Sequence, residues 1–111
     1  VFDGRKLTAI FQPHLYTRTR DFYKDFANSL SLLDEVILTE IYPAREQPIP
    51  GVTSQIIFDE LRPDMQRRIC QKTDVPQIVE NDDFDVLIVL GAGDLDNYCD
   101  EITEILKRKY C

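Results

Sequence analysis

The chain has 111 residues, 43% hydrophobic and 30% charged, which is enough for one domain with its own apolar core. Its net charge of −7 argues against a general role on nucleic acid, because DNA- and RNA-binding proteins need many cations to displace phosphate counterions. The longest apolar run, Val86 to Leu90, is far too short to span a membrane. Three widely spaced cysteines, an odd number, favour a reducing cytoplasm over a disulfide-bonded secreted chain.

Strands and helices alternate in the first part of the chain. Residues 6–12 predict a strand that Pro13 ends, because proline has no N–H for a β ladder. A helix is predicted over 17–33, capped by Thr17 or Thr19. Its expected inner face comprises Phe22, Phe26, Leu30 and Leu33. Residues 35–42 predict the second strand.

The middle of the chain holds an irregular loop and shorter elements. Residues 43–51 contain three prolines and a glycine, which predict a loop without regular structure. Ser54 is expected to cap a short helix after this loop. Residues 66–71 predict a short strand, and Asp74 is expected to cap a helix that runs through residue 80.

The last part of the chain predicts a strand, a turn and a helix. Residues 85–90 predict a strand, and the unbroken apolar run after Asp85 is typical of a strand buried on both faces. A glycine-rich turn follows at Gly91–Asp94. The final helix has an expected inner face of Tyr98, Ile102, Ile105 and Leu106. This alternation predicts a single α/β domain over residues 1–111 with a mostly parallel sheet.

Three polar or glycine-rich segments follow predicted strands, at 13–20, 43–54 and 91–97. Because ligands of open parallel sheets bind beyond the carboxyl ends of the strands, we expect all three segments on one rim. The turn after residue 90 is a poor dinucleotide site, because position 96, where the third glycine of that motif would stand, is Asp96. Arg45 and Glu46 in the second segment are interpreted as a solvated pair of little energetic value.

The first rim segment offers the richest chemistry. It places His14, Arg18 and Arg20 between a strand end and a helix start. Unpaired N–H groups at a helix start attract anions, and arginine adds a planar fork suited to carboxylate or phosphate. The alternative is that both arginines are solvated, with Arg20 paired to Asp21. His14 either polarises a ligand oxygen or makes a structural hydrogen bond. With one histidine and no closely spaced cysteines, a zinc site has no support.

Three motifs in order resemble the UDP-N-acetylmuramate–L-alanine ligases, a family of Mur ligases. They are Phe11–Arg20 (FQPHLYTRTR), Tyr42–Ser54 with its PIPG stretch, and Leu90–Asp94 (LGAGD). The resemblance implies a three-layer Rossmann-like C-terminal domain that closes over the substrates. It also implies an ADP-forming amide ligase of peptidoglycan synthesis. In this family, ATP phosphorylates the muramate carboxylate, the amine of L-alanine attacks the acyl phosphate, and phosphate leaves.

The same resemblance implies roles for individual residues and partners. Arg18 is expected to clamp the carboxylate of L-alanine, with His14 as a nearby polar contact and Tyr16 and Thr17 as substrate-binding neighbours. The expected partners are UDP-N-acetylmuramate, L-alanine and the remaining domains of the same chain. ATP and Mg²⁺ are expected to bind mainly to a central domain outside these residues, which leaves this chain without catalytic residues or metal ligands.

The sequence also departs from the family pattern. Leu15 stands where arginine is common, so the segment has one cation fewer. The chain begins just before the first strand, without the family's D-D-Y-x-H-H-P motif, so we expect a fragment that is inactive alone. Two alternatives stay open: a muropeptide-recycling ligase of the same superfamily, or a stand-alone α/β binding module. A receiver-type module would need an acidic pair after its first strand, where this chain has Gln-Pro-His-Leu.

Overall fold

A computed structural model describes residues 6–82, 86–91 and 99–110. The strands are β1 (Leu7–Gln12), β2 (Glu35–Leu38), β3 (Gln66–Ile69) and β4 (Val86–Gly91). The helices are α1 (Tyr16–Leu30), α2 (Ser54–Glu60), α3 (Val75–Asn81) and α4 (Cys99–Tyr110), with a 3₁₀ turn at Lys72–Asp74. The order of elements confirms the predicted alternation of strands and helices.

The four strands form one parallel sheet in the order β3-β2-β1-β4. Two apolar clusters cover its faces. On one face, α1 and α2 pack over Val36 and Leu38. On the other, α3 and α4 pack over Ile10 and Ile37, with Ile102 of α4 in the same cluster. The three-layer, Rossmann-like α/β architecture is therefore confirmed.

The expected burial of the last strand on both faces is wrong. Within the described residues, β4 pairs with β1 alone and lies at the edge of the sheet. Its side chains are partly buried, and Leu90 is 39% exposed. The apolar run reflects packing on one face, where Leu87 and Val89 contact the α3–α4 cluster.

The expected inner face of α1 also needs correction. Phe22 is 44% exposed, whereas the prediction is confirmed for Phe26, Leu30 and Leu33, which pack in the cluster under α1. Thr19 and Ala27 are also buried. Phe22 is included in the predicted face because it lies four residues before Phe26. Small residues such as Ala27 also belong to the buried face of a helix. In α4 the prediction is confirmed for Ile102 and Ile105, which are both buried, and Leu106 packs on the same cluster. Tyr98 lies outside the described residues.

The predicted helix caps are mostly wrong. Leu15 precedes α1, and the hydroxyl of Thr19 donates to its carbonyl oxygen instead of capping. The cap of α2 is Thr53, whose hydroxyl accepts the N–H of Gln55 at 3.2 Å. Ser54 is the first residue of that helix, and its buried hydroxyl donates to the carbonyl oxygen of Thr39.

The predicted start of α3 is confirmed, but the predicted capping role of Asp74 is wrong. Asp74 directly precedes the helix, and Pro76 is accommodated in its first turn. The Asp74 side chain makes no cap bond to α3, however. It accepts the N–H of Gln71 at 3.2 Å and so closes the preceding 3₁₀ turn.

Candidate functional site

The first two predicted rim segments lie side by side beyond the ends of β1 and β2. His14 and Tyr42 form an isolated parallel bridge. The N–H of Leu15 donates to the Tyr42 carbonyl at 2.8 Å, and the N–H of Tyr42 donates to the Pro13 carbonyl at 2.8 Å. The third segment, after Gly91, lies outside the described residues from position 92 onward.

The ring of His14 has a clear contact. It stacks on the ring of Tyr42, with ring centroids 5.8 Å apart and planes 13° apart. His14 is half-buried. The stacking and the backbone bridge together fix this histidine at the junction of the two rim segments.

Leu15 holds an unusual backbone conformation immediately before α1. Its φ is +68° and its ψ is 142°, a region that residues with a Cβ rarely adopt. Such strain persists only where surrounding contacts enforce it, and it concentrates at functional sites. Here the Leu15 N–H is bonded to Tyr42, and the Leu15 carbonyl accepts both the N–H and the hydroxyl of Thr19.

Glu46 caps α1 from the proline-rich loop, which sequence reasoning missed. Its Oε1 accepts the N–H groups of Tyr16 at 2.6 Å and Thr17 at 3.1 Å. Its Oε2 accepts the Thr17 hydroxyl at 2.5 Å. The hydrogen bonds from the Thr17 hydroxyl and the two backbone N–H groups lower the pKa of Glu46. The interpretation of Arg45 and Glu46 as a solvated pair is therefore wrong.

A local turn presents Glu46 to the helix. The Glu46 N–H donates to the Pro43 carbonyl at 2.9 Å, and Ala44 in between has a left-handed φ of +52°. The signal in the sequence was a carboxylate within a loop expected to share a rim with a helix start. No sequence pattern links two positions 30 residues apart, so the pairing itself is visible in the structure alone.

The two arginines of the first segment have different surroundings. Arg20 pairs with the neighbouring Asp21 at 2.9 Å, as the solvated alternative predicts. Arg18 is exposed, and its guanidinium lies over the ring of Phe22, 5.5 Å from the centroid. The Arg18 guanidinium therefore covers part of the exposed Phe22 ring.

A cavity of about 570 Å³ lies at the carboxyl ends of β2 and β3. Its lining includes Tyr16 of the signature segment, the carboxylates Glu40 and Asp74, and the Cys70 thiol. Burial raises the pKa of Cys70 to about 11, with the Asp74 charge adding to the effect. Among the described residues, no arginine or lysine lines the cavity, so it suits neutral or positively charged groups better than anions.

The described residues offer no membrane span and no metal site. None of the helices in the described ranges is long and apolar enough to cross a bilayer. Among the same residues, no three His, Cys, Asp or Glu side chains are grouped so that they could hold a metal ion.

No protein-family model matches the chain. Several known proteins, however, are similar to it over nearly its whole length. The chain is 62% identical over 109 residues to the UDP-N-acetylmuramate–L-alanine ligase of Phocaeicola vulgatus, covering 98% of the chain and 24% of that protein. The ligases of the same name from Parabacteroides distasonis and Cytophaga hutchinsonii are 53% and 44% identical over 106 and 110 residues. These alignments cover 96% and 99% of the chain and 23% of each relative.

The chain thus spans about a quarter of the length of these relatives. The similarity extends over nearly all of its residues, including the three motifs that carried the resemblance. The chain belongs to the family of UDP-N-acetylmuramate–L-alanine ligases, in which it corresponds to the C-terminal domain.

Proposed function

We propose that this segment is the substrate-closing domain of an ATP-dependent ligase that joins L-alanine to UDP-N-acetylmuramate in peptidoglycan synthesis. The observation that carries the proposal is the similarity of the whole segment to proteins with that name, at up to 62% identity. The reaction forms an amide between the muramate carboxylate and the alanine amine. We further propose that the enzyme works in the cytoplasm.

Arg18 is the proposed clamp on the carboxylate of L-alanine. Its guanidinium is exposed and lies over the ring of Phe22, so it is accessible to a ligand. A planar fork can donate two parallel hydrogen bonds to a carboxylate, which lysine cannot. His14 and Tyr16 are proposed to border the bound amino acid, one stacked on Tyr42 and the other lining the cavity.

Thr17 has a more indirect proposed part in binding. Its N–H and hydroxyl both donate to Glu46. We therefore propose that Thr17 holds the segment in place beside the substrate.

ATP and Mg²⁺ are proposed to bind elsewhere in the longer protein. The described residues do not fit a Mg²⁺ site, since they contain no suitable group of three ligands. The sequence also has no G-x-x-x-x-G-K-[ST] loop for the phosphates of ATP. We accordingly expect the 111-residue chain alone to release no ADP when it is given all substrates.

The assignment of Arg18 is tested in the full-length enzyme by the variant Arg18→Ala. Loss of a charge-assisted hydrogen bond costs roughly 1.5–3 kcal/mol, so the KM for L-alanine should rise about tenfold or more. Arg18→Lys keeps the charge but loses the planar fork, so its KM for L-alanine should lie between those of the wild type and Arg18→Ala. Arg108→Ala is the matched control, because Arg108 pairs with Glu80 on α3. An unchanged KM in Arg18→Ala would refute the clamp.

The choice of the amino acid is tested by offering L-alanine and an alanine-starting peptide in parallel. The proposed function predicts that the full-length enzyme uses L-alanine with the higher kcat/KM. A clear preference for the peptide would instead identify a recycling ligase of the same superfamily.

A further inference from the structure

Both oxygens of the Glu46 carboxylate are bound to the start of α1. Oε1 accepts the first two N–H groups of the helix, and Oε2 accepts the hydroxyl of Thr17. These N–H groups are the ones that give a helix start its affinity for anions. An external anion would therefore have to displace Glu46 from Tyr16 and Thr17 before it could bind there.

The same contact fixes the backbone that leads into Arg18. Leu15 is held in its strained conformation by Tyr42 on one side. Tyr16 and Thr17 are held by Glu46 on the other. Three successive residues are thus anchored to the segment after β2 through hydrogen bonds. Arg18 is the next residue, so the direction in which its side chain leaves the helix depends on these anchors.

The start of α1 and the Arg18 guanidinium differ in how they interact with an anion. The Glu46 carboxylate repels other anions from the amide groups that it occupies. The guanidinium of Arg18, over Phe22, remains available to a carboxylate. A substrate carboxylate is consequently directed to the Arg18 side chain and away from the backbone amides of the two preceding residues.

We propose that Glu46 is a positioning residue: it fills the anion-binding start of α1 and orients Arg18, so that the amino-acid carboxylate binds the guanidinium. This inference rests on the proposed function for the identity of the ligand. The occupancy of the helix start does not depend on that function and is tested separately.

The first measurement uses the full-length protein with ¹⁵N-labelled tyrosine and threonine, titrated with sulfate. Sulfate can also bind the Arg18 guanidinium, so every protein in this titration carries Arg18→Ala. With Glu46 in place, the amide signals of Tyr16 and Thr17 should then not move. In Glu46→Ala they should move in a saturable way, because the freed N–H groups can donate hydrogen bonds to the anion. In Glu46→Asp, which keeps a carboxylate, they should again stay in place. Glu46→Gln keeps the size of the side chain and is measured in parallel, so a folding defect in Glu46→Ala does not prevent the test.

The second measurement is the steady-state KM for L-alanine in the wild type and the Glu46 variants, all with Arg18 intact. A misplaced guanidinium weakens its contact with the substrate carboxylate, so this KM should rise about tenfold in Glu46→Ala and Glu46→Gln, as it should in Arg18→Ala. Because the lost contact acts on binding, kcat should change much less than KM. Glu46→Asp should recover part of the affinity.

Asp34→Ala provides the matched control. Its carboxylate also accepts a backbone N–H, that of Leu7 at 2.7 Å, but at the opposite end of β1. This variant should leave both the sulfate response and the KM for L-alanine unchanged. The same outcome in Glu46→Ala and Glu46→Gln would overturn the proposal. A raised KM without any sulfate response would overturn the anion-exclusion role and leave Glu46 as a purely structural residue.

Failure of the proposed function has a different signature. The wild-type enzyme would then form no product from L-alanine at all, while the sulfate titration would still report whether Glu46 occupies the helix start.

Discussion

Replacing Ser54 by aspartate distinguishes a helix cap from a buried hydrogen-bond donor. If Ser54 capped α2, aspartate would serve equally well, because aspartate and serine are both favoured caps. In the structure Ser54 is 4% exposed and its hydroxyl donates to the Thr39 carbonyl. Aspartate there would place a carboxylate against a carbonyl oxygen with no proton between them. Thr53, the observed cap, is exposed and should accept aspartate without loss.

The expected losses of unfolding free energy differ clearly between the Ser54 and Thr53 variants. Ser54→Ala leaves the Thr39 carbonyl without this donor, which costs about 1–3 kcal/mol of unfolding free energy. Ser54→Asp adds an uncompensated buried charge and should cost about 3 kcal/mol or more. Thr53→Asp should change stability by less than about 0.5 kcal/mol, since it exchanges one good cap for another and adds charge at a helix start. Thr53→Ala should lose about 1 kcal/mol.

Urea unfolding of the four variants, followed by far-ultraviolet circular dichroism, measures these differences. With a slope of about 1–3 kcal/mol per molar urea for small proteins, Ser54→Asp should lower the midpoint by roughly 1–3 M. Thr53→Asp should unfold near the wild type. Equal midpoints for Ser54→Asp and the wild type would refute the buried-donor role and restore Ser54 as the cap.

Three further predictions follow from ionisable groups. Because the pKa of Glu46 is lower in the folded chain, its stabilising effect is present above the ordinary value of 4.5 and disappears as the pH falls through the folded value. The difference in Tm between the wild type and Glu46→Gln should therefore shrink on acidification, and a constant difference would contradict this. The raised pKa of Cys70, about 11, means that stability declines as the pH rises from 9 toward 11. In a chain whose other cysteines are serine, native Cys70 should react with a disulfide reagent at pH 8 more slowly than in urea, and equal rates would refute its protection. Lys109 donates to the carbonyls of Val79 and Asp82 at the end of α3. Lys109→Met should therefore lose about 1.5–3 kcal/mol of unfolding free energy, and an unchanged urea midpoint would show that these bonds contribute nothing.

The predictable part of the fold is the part that local patterns determine. Residues 6–12 and 35–42 are predicted as strands because they are largely apolar, and the structure has strands at Leu7–Gln12 and Glu35–Leu38. The spacing of Ile102 and Ile105 marks the inner face of α4. The parallel arrangement followed from the alternation of strands and helices. It also placed the segments after β1 and β2 on one rim, where the structure has them joined through His14 and Tyr42.

The unpredicted part depends on contacts between distant positions. The cap of α1 comes from Glu46, whereas cap rules consider the residues directly before the helix. The edge position of β4 depends on which strands pair, and an apolar run looks alike in a central strand and in an edge strand packed on one face. The strain at Leu15 is invisible in the sequence, because leucine carries no preference for a positive φ.

The strand order has a consequence for the folding of the domain during its synthesis on the ribosome. β1 is synthesised first, and β2 can join one of its edges soon afterwards. The other edge of β1 pairs with β4, so Leu7 cannot pair until Val86 has been synthesised. At a synthesis rate of about 5–20 residues per second, β1 spends several seconds as an unpaired edge strand. Such edges invite pairing with other chains. The nascent segment is therefore exposed to aggregation until most of its helices have already been made.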